Sequence, residues 1–212
     1  GATYAIGPPI QDGFYYDFEL PGGATFSNED LEAIEVRMRL VIDADQAFER
    51  HEADAAEALE LFSGHPYKRE IIEQVTSGAA TGELAGEAST DGSVTYYRNG
   101  EGFIDLCLGP HVPSTGRLGH FALQEVAEAY WRGGEKQPML QRIFVTAWAD
   151  KIALKRHLHR LVEAEKRDHR RLAAELDLAS WPESLGPGLA VWPPKGALVR
   201  KLIEDYSRDR HE

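Results

Sequence analysis

An antiparallel sheet with packed helices, followed by one long helix, is the α+β fold that the sequence predicts. Three patterns support this prediction. Two short runs alternate apolar and polar residues around an Asn-Gly pair, apolar residues recur at helical spacing after residue 27, and they do so again after residue 149. With 42% hydrophobic residues among 212, the chain can also supply a core.

The first 92 residues begin with a turn and strand and continue into helices. Residues 5–20 mix turn signals with aromatic residues, which predicts a turn-and-strand unit. Residues 27–30 (SNED) resemble a capping box, and Leu31, Ile34, Met38 and Val41 follow at helical spacing, so a helix of about 15 residues is predicted. Residues 53–62 predict a shorter helix, and residues 76–92 a loop or irregular strand.

A hairpin is predicted next, from residues 93–98 (SVTYYR) and 102–108 joined by Asn99-Gly100. Because side chains alternate along a strand, Asp105 and Cys107 should share one face, while Ile104, Leu106 and Leu108 share the other. Gly109-Pro110 then breaks regular structure, so Cys107 and His111 cannot share a helix face. A turn after the strand could bring His111 back over the face of Asp105 and Cys107.

The pattern changes at residue 149 to one long predicted helix of about 28 residues, marked by apolar residues at Leu154, Leu158, Leu161, Val162, Leu172 and Leu176. Prolines and glycines between residues 182 and 194 interrupt the chain, and residues 197–210 predict another helix. We therefore predict a domain over residues 1–148, a linker helix over 149–178 and the start of another domain over 179–212.

The composition indicates which classes of protein this chain can belong to. No apolar run approaches the roughly 20 residues of a membrane span, no secretory signal is evident, and one cysteine cannot form an internal disulfide. A soluble, cytoplasmic protein without a membrane partner is expected. The net charge of −12 argues against general nucleic-acid affinity, yet residues 151–171 carry eight basic residues against three acidic ones. That stripe could follow a phosphate backbone or be an ordinary solvated helix face.

Cys107 and His111 admit three interpretations from the residues alone. They could be a nucleophile with its base, half of a metal site, or a core cysteine beside a turn.

Several motifs resemble one family in order along the chain: AIGPPIQDGFYYDF, DLCLGPHVPSTG, AYWRGG, MLQRIFVTAWADK and EKRDHRRLAAELDL. They are similar to the editing domain and linker helix of threonyl-tRNA synthetases. The final residues, GPGLAVWPPKGALVRKLIEDYSRDRHE, resemble the entry into the class II catalytic domain of that family. Residues 76–97 are the least similar stretch.

The resemblance implies a piece of a longer enzyme that charges tRNA(Thr) with threonine. The family's editing domain opens with a His-x-x-x-His pair, and no two of the eight histidines here have that spacing. We therefore expect half of the editing site to be absent and editing to be impaired. No cofactor or metal is expected here, since ATP, magnesium and zinc belong to the full-length enzyme, which is expected to be a homodimer through its catalytic domain.

Editing in this family removes serine from mischarged Ser-tRNA(Thr). Serine lacks one methyl of threonine, and a missing methylene allows only about 10- to 200-fold discrimination by binding, so a second site must hydrolyse the wrong ester. Mischarged seryl-tRNA and the acceptor end of tRNA(Thr) are thus the expected partners.

Five residues match the family's editing pocket. The resemblance implies catalytic positions for Cys107, His111, Asp105 and Lys68, and a substrate-binding position for Tyr16, which could equally be core packing. In this interpretation His111 orients a water or the terminal ribose, Lys68 favours the oxyanion, and Cys107 lines the pocket. The basic stripe then predicts contacts with the tRNA acceptor arm from Lys155, Arg156 and Arg160.

Two other functions stay open. A zinc-binding module is possible because related alanyl-tRNA editing domains use the same four-ligand pattern, although one Cys/His pair is two ligands short of a tetrahedral site. A Cys-His thiol hydrolase would need hydrogen-bond reach between the two side chains and a depressed thiol pKa.

Overall fold

The computed structural model of the protein describes residues 1–79, 93–134 and 136–211. The chain divides into two compact units, Gly1–Leu154 and Lys155–Glu212. The three predicted domains stay a prediction. None of the helices in the described part of the chain is long and apolar enough to cross a membrane.

The strands of the described residues are β1 Thr3–Tyr4, β2 Pro9–Ile10, β3 Gly13–Glu19, β4 Phe48–Ala53, β5 Val94–Asn99, β6 Phe103–Leu106, β7 His120–Tyr130 and β8 Met139–Trp148. They are antiparallel, as predicted, but they form two sheets where the sequence predicted one. In the larger sheet, β1 and β2 both pair with one edge of β3, whose other edge pairs with β8, and β8 pairs with β7. The smaller sheet has the order β4-β5-β6.

The α-helices are α1 Asn28–Asp43, α2 Ala55–Leu61, α3 Pro66–Thr76, α4 Lys151–Lys166, α5 His169–Glu175 and α6 Pro194–His211. The predicted capping box of α1 is confirmed: the backbone N–H of Ser27 donates to Asp30 at 2.8 Å, and that of Asp30 donates to the Ser27 hydroxyl at 3.2 Å. Its apolar face places Leu31 among buried residues of the larger sheet, including Ile143 and Val145.

A second core joins α2 and α3 to the smaller sheet. Ile71 and Ile72 of α3 are fully buried and cluster with Val94, Tyr96 and Leu106 of the β5–β6 hairpin. The sequence predicted α2 but not α3, which begins at a proline after His65. Of the predicted loop 76–92, residues 80–92 lie outside the described residues, and Thr76 is the last residue of α3.

The predicted β5–β6 hairpin is confirmed, with Tyr97 opposite Asp105 and Tyr96 opposite Leu106. The second strand is shorter than the predicted run of residues 102–108, because β6 ends at Leu106. Leu108 lies beyond the strand and is 42% exposed, whereas Leu106 is 3% exposed.

The prediction of one continuous linker helix over residues 149–178 is also wrong. Between α4 and α5, Asp168 has φ −56° and ψ 121°, and its carboxylate accepts hydrogen bonds from the backbone N–H groups of Arg170 and Arg171. An aspartate that caps a new helix interrupts the old one even where apolar spacing continues. The predicted helix over residues 197–210 is confirmed as α6.

Asp17 and Arg142 form a buried ion pair between neighbouring strands of the larger sheet. They are directly opposite in the register of β3 and β8, and both guanidinium contacts are short, at 2.8 and 2.9 Å. Asp17 is 2% exposed, so its charge depends on this bidentate partner.

Asp17→Ala should lower the free energy of unfolding by about 3–5 kcal/mol, because it leaves the Arg142 guanidinium without its carboxylate. Urea denaturation measures the loss. Glu35→Ala is the control, since it breaks the exposed Glu35–Arg39 pair of α1 and should cost about 0.5 kcal/mol or less. Equal losses in the two variants would show that the buried pair contributes no more than a surface one.

Candidate functional site

The carboxylate of Asp105 joins three separate segments of the chain. Its Oδ1 atom accepts from Lys68 Nζ at 2.5 Å and from the backbone N–H of Leu106 at 2.8 Å. Its Oδ2 atom accepts a short hydrogen bond from the Tyr16 hydroxyl. Strand β6 thus meets helix α3 and strand β3 at one charged group.

Lys68 is buried, with 1% of its side chain exposed. Its ammonium lies 5.6 Å from the ring centre of Tyr4 and 5.7 Å from that of Tyr16. A lysine taken out of water needs a carboxylate or aromatic faces to compensate for its lost hydration, and Lys68 has both. Its charge is therefore held in one place beside Asp105.

Two members of this cluster were not predicted from the sequence. Tyr4 donates to the carbonyl of Ile104 at 2.8 Å, and burial, with a smaller effect of the Asp105 charge, raises the pKa of Tyr4 to about 12. His65, just before α3, lies with its ring centre 4.5 Å from that of Tyr4, and its buried Nδ1 has no hydrogen-bond partner among the described residues. Neither residue stands in a local pattern that indicates a site.

Cys107 follows directly after β6 and is still fixed to β5. Its backbone N–H donates to the Thr95 carbonyl at 3.2 Å, and its own carbonyl accepts from the Thr95 hydroxyl at 2.8 Å. The sulfur accepts a hydrogen bond from the Gly109 N–H at 3.3 Å. The thiol is therefore a positioned group at the end of a strand.

The turn that carries His111 depends on Gly109. This residue has φ +80°, and a Cβ there would overlap the Tyr97 hydroxyl, so a larger residue does not fit. After the cis Gly109–Pro110 bond, the His111 ring stacks on Phe48, with 5.2 Å between ring centres, and meets Tyr97 edge-on at 4.2 Å. Burial lowers the pKa of His111 below its ordinary value of 6.5, although the Asp105 charge opposes this effect.

A cavity of about 870 Å³ opens beside these groups. Tyr16, Asp105, Cys107 and His111 all line it. Most of the remaining wall is apolar, with side chains that include Phe14, Ile34, Met38, Val41, Ile42, Phe48, Phe103 and Leu118. Lys68 is not among the lining residues; it contacts Asp105 from the protein interior.

The fold brings the five predicted pocket residues together, although they come from β3, α3, β6 and the turn that follows β6. Their chemical roles stay predictions. The predicted tRNA-binding residues Lys155, Arg156 and Arg160 lie on α4 and are exposed. Arg160 contacts His157 Nδ1 at 3.0 Å.

Within residues 1–79, 93–134 and 136–211, no group of three or more His, Cys, Asp or Glu side chains is placed to hold a metal ion. An imidazole with a lowered pKa can accept a proton near neutral pH, and a cation beside a carboxylate can stabilise developing negative charge.

The region that contains this site is similar to a known protein family. Residues 94–144 match the family described as threonyl and alanyl tRNA synthetase second additional domain, and this region contains Asp105, Cys107 and His111. The chain is 51% identical to a threonine–tRNA ligase of Parafrankia sp. (strain EAN1pec) over 99% of the chain and 32% of that protein.

Two further relatives are similarly close. The identity is 50% to the threonine–tRNA ligase of Nitrosococcus oceani, over 99% of the chain and 30% of that protein. It is 48% to that of Thermobifida fusca, over 100% of the chain and 33% of that protein. The chain thus spans about a third of the length of the curated relatives it matches.

The lowered pKa of His111 predicts a pH-dependent contribution to stability. Because the unfolded chain takes up the His111 proton at a higher pH than the folded chain does, lowering the pH through 6.5 towards the folded pKa should favour unfolding. The free energy of unfolding of the wild type, minus that of His111→Gln, should fall over this window. Urea denaturation at a series of pH values measures the difference. A difference that is constant with pH, or that rises as the pH falls, would contradict the shift.

Proposed function

Because the chain belongs to the threonyl-tRNA synthetase family, we propose that it contains the editing region of such an enzyme, which hydrolyses mischarged Ser-tRNA(Thr). We further propose that hydrolysis by this chain alone is impaired, because no two of its histidines have the family's His-x-x-x-His spacing. Its relatives are aminoacyl-tRNA synthetases named for ligating threonine to tRNA. The proposed editing reaction takes place in the cavity within the unit Gly1–Leu154.

The observation that carries the proposal is the convergence of Asp105, Cys107 and His111 on one cavity wall, with Lys68 behind Asp105. Ester hydrolysis needs a positioned water, a group that accepts its proton and a positive charge near the developing oxyanion. The cavity offers a candidate for the second requirement in His111, and Lys68 is the cation nearest the Asp105 end of the wall.

In the proposed mechanism, water is the nucleophile. His111 orients that water or the terminal ribose and can accept a proton, because its pKa lies below its ordinary value and the ring is therefore neutral at physiological pH. Cys107 shapes the wall next to the ester. Its sulfur already accepts a backbone hydrogen bond from Gly109, which fixes the side chain without requiring it to attack.

Lys68 acts from behind the wall. Since its ammonium is fixed on Asp105 and between two aromatic rings, its charge is present before the substrate binds and need not be reorganised during the reaction. Tyr16 holds the other carboxylate oxygen and lines the cavity itself. Lys68 therefore favours the oxyanion through charge, while Asp105 and Tyr16 position the polar end of the cavity.

The partners follow from the family and from the charge distribution. We propose that the acceptor end of tRNA(Thr) is bound in part by Lys155, Arg156 and Arg160, which are exposed on α4. The cytoplasm, where tRNA is charged, is the proposed location. ATP, magnesium, zinc and a homodimer interface are proposed for the longer enzyme rather than for the cavity described above.

The nucleophile is tested by comparing Cys107→Ser with His111→Ala in the full-length protein. If water attacks, Cys107→Ser should keep measurable hydrolysis of Ser-tRNA(Thr), whereas His111→Ala should lose about 100-fold or more in kcat. Acid-quenched reactions should contain no seryl-enzyme. Thr-tRNA(Thr) is the control substrate and should be hydrolysed much more slowly by the wild type.

Two outcomes would contradict the proposal. A seryl thioester trapped on Cys107, with activity abolished in Cys107→Ser, would make the protein a thiol hydrolase instead. No hydrolysis of Ser-tRNA(Thr) above the uncatalysed rate by the wild type would remove the editing role altogether.

The basic stripe is tested by replacing Lys155, Arg156 and Arg160 with Glu. If these side chains contact phosphates, the Kd for tRNA(Thr) should rise about 10-fold or more at low salt, and the slope of log K against log salt should fall by about three, because fewer counterions are released. Filter binding at several salt concentrations measures both quantities.

The matched control changes three basic residues of α6 to Glu. Arg200, Lys201 and Arg208 are also exposed but pair with Glu204 and Asp205, and their replacement alters the net charge equally. An equal loss of affinity in the two triple variants would mean that only the overall charge matters and that the stripe on α4 is a solvated face.

A further inference from the structure

The imidazole of His111 contacts two aromatic rings from neighbouring strands. Phe48 of β4 is nearly parallel to it, at an interplanar angle of 18°, and Tyr97 of β5 meets it at 62°. In the sheet register Phe48 is opposite Asn99 and Tyr97 is opposite Asp105. Since residues two apart share a face, Phe48, Tyr97 and Asp105 lie on one face of the smaller sheet.

We propose that Phe48 and Tyr97 are positioning residues for the editing reaction: together they form a ring clamp that fixes the plane of His111. The inference deepens the proposed function and rests on it. Neither ring carries a group that exchanges a proton with the ester. Their effect on the reaction would pass through His111.

The two rings constrain different motions of the imidazole. The stacked Phe48 ring limits tilting of the imidazole plane, whereas the edge-on Tyr97 ring limits rotation of the imidazole. His111 comes from a turn rather than from a strand or helix, so its backbone alone does not fix the ring. A reacting group that is misplaced by about 1 Å can lose about 100-fold in rate, so fixing this ring matters for catalysis.

The clamp also affects the charge state of the imidazole. Desolvation lowers the pKa of His111, and the Asp105 carboxylate opposes this effect. Phe48 and Tyr97 are two rings that contact the imidazole. The positive charge of Lys68 in turn offsets that carboxylate. The other ionisable side chains that line the same cavity are Tyr16, Arg37, Tyr97, Glu101 and Cys107. Loss of a ring should therefore let the pKa of His111 rise towards 6.5.

The test compares Tyr97→Leu with Tyr97→Phe and with Tyr96→Leu. Tyr96 is the neighbouring residue on β5, is equally buried at 8% exposed, and stacks on a different histidine, His51, at 5.1 Å. Tyr96→Leu thus removes a comparable ring from the opposite face of the strand and serves as the matched control. Tyr97→Phe keeps the edge contact and should rescue the function. Phe48→Leu removes the second ring of the clamp.

In the full-length protein, Tyr97→Leu and Phe48→Leu should each lower kcat for Ser-tRNA(Thr) hydrolysis about 3- to 10-fold, with little change in KM. The acid limb of the pH–rate profile should move to higher pH. Tyr97→Phe should resemble the wild type in both respects. Tyr96→Leu should lower stability without moving the acid limb, because its ring does not contact His111.

The clamp can be separated from the proposed function by NMR titration of the His111 ring. If the wild type fails to hydrolyse Ser-tRNA(Thr), the proposed function fails, but the midpoint of this titration should still rise in Tyr97→Leu and not in Tyr97→Phe or Tyr96→Leu. The clamp would be overturned if Tyr97→Leu and Tyr96→Leu had the same acid limb of the pH–rate profile and the same midpoint of the His111 titration. Equal damage by Tyr97→Phe and Tyr97→Leu would also overturn it, since the Tyr97 hydroxyl would then be the group that matters.

Discussion

The contact between Lys68 and Asp105 is the interaction on which the rest of the site depends. A single carboxylate accepts hydrogen bonds from a helix lysine, a strand tyrosine and its own neighbour's backbone, so it ties the smaller sheet to α3 and to the larger sheet. Because Lys68 is almost fully buried, its charge could not be accommodated without this partner. One carboxylate thus connects β3, α3 and β6, in addition to the apolar core that α3 shares with the hairpin.

The contact between Lys68 and Asp105 determines which chemical groups the cavity wall presents. With Lys68 held behind Asp105, the wall itself presents a carboxylate, a phenol, a thiol and an imidazole, and the positive charge acts from a distance. His111 is then the group of this set best suited to exchange a proton near neutral pH, since burial keeps its ring uncharged. The arrangement is consistent with a reaction in which water, rather than the thiol, attacks an ester.

The sequence predicted the local parts of this site and missed the parts that tertiary packing creates. The Asn99-Gly100 turn and the strand alternation correctly placed Asp105 on the site face of the hairpin, because both signals act within a few residues. Tyr4 and His65 gave no such signal, since they reach the cluster only when β1 and α3 pack together. The linker helix was predicted too long because apolar spacing continues through Asp168, whose side chain nevertheless caps α5.

Two ion pairs with a buried partner, both among the described residues of the unit Gly1–Leu154, show how a role in function can be distinguished from a role in stability. Asp17 and Arg142 face each other directly across two paired strands, with bidentate geometry, as expected of a pair that secures a sheet. Lys68 and Asp105 instead connect a helix to a strand, and Asp105 lines a cavity. A buried pair is weak evidence for stability, since apolar residues of similar volume often replace one without loss. A charge pair kept at a cavity wall beside a neutral histidine is therefore better explained by the chemistry of that cavity than by the packing of the core.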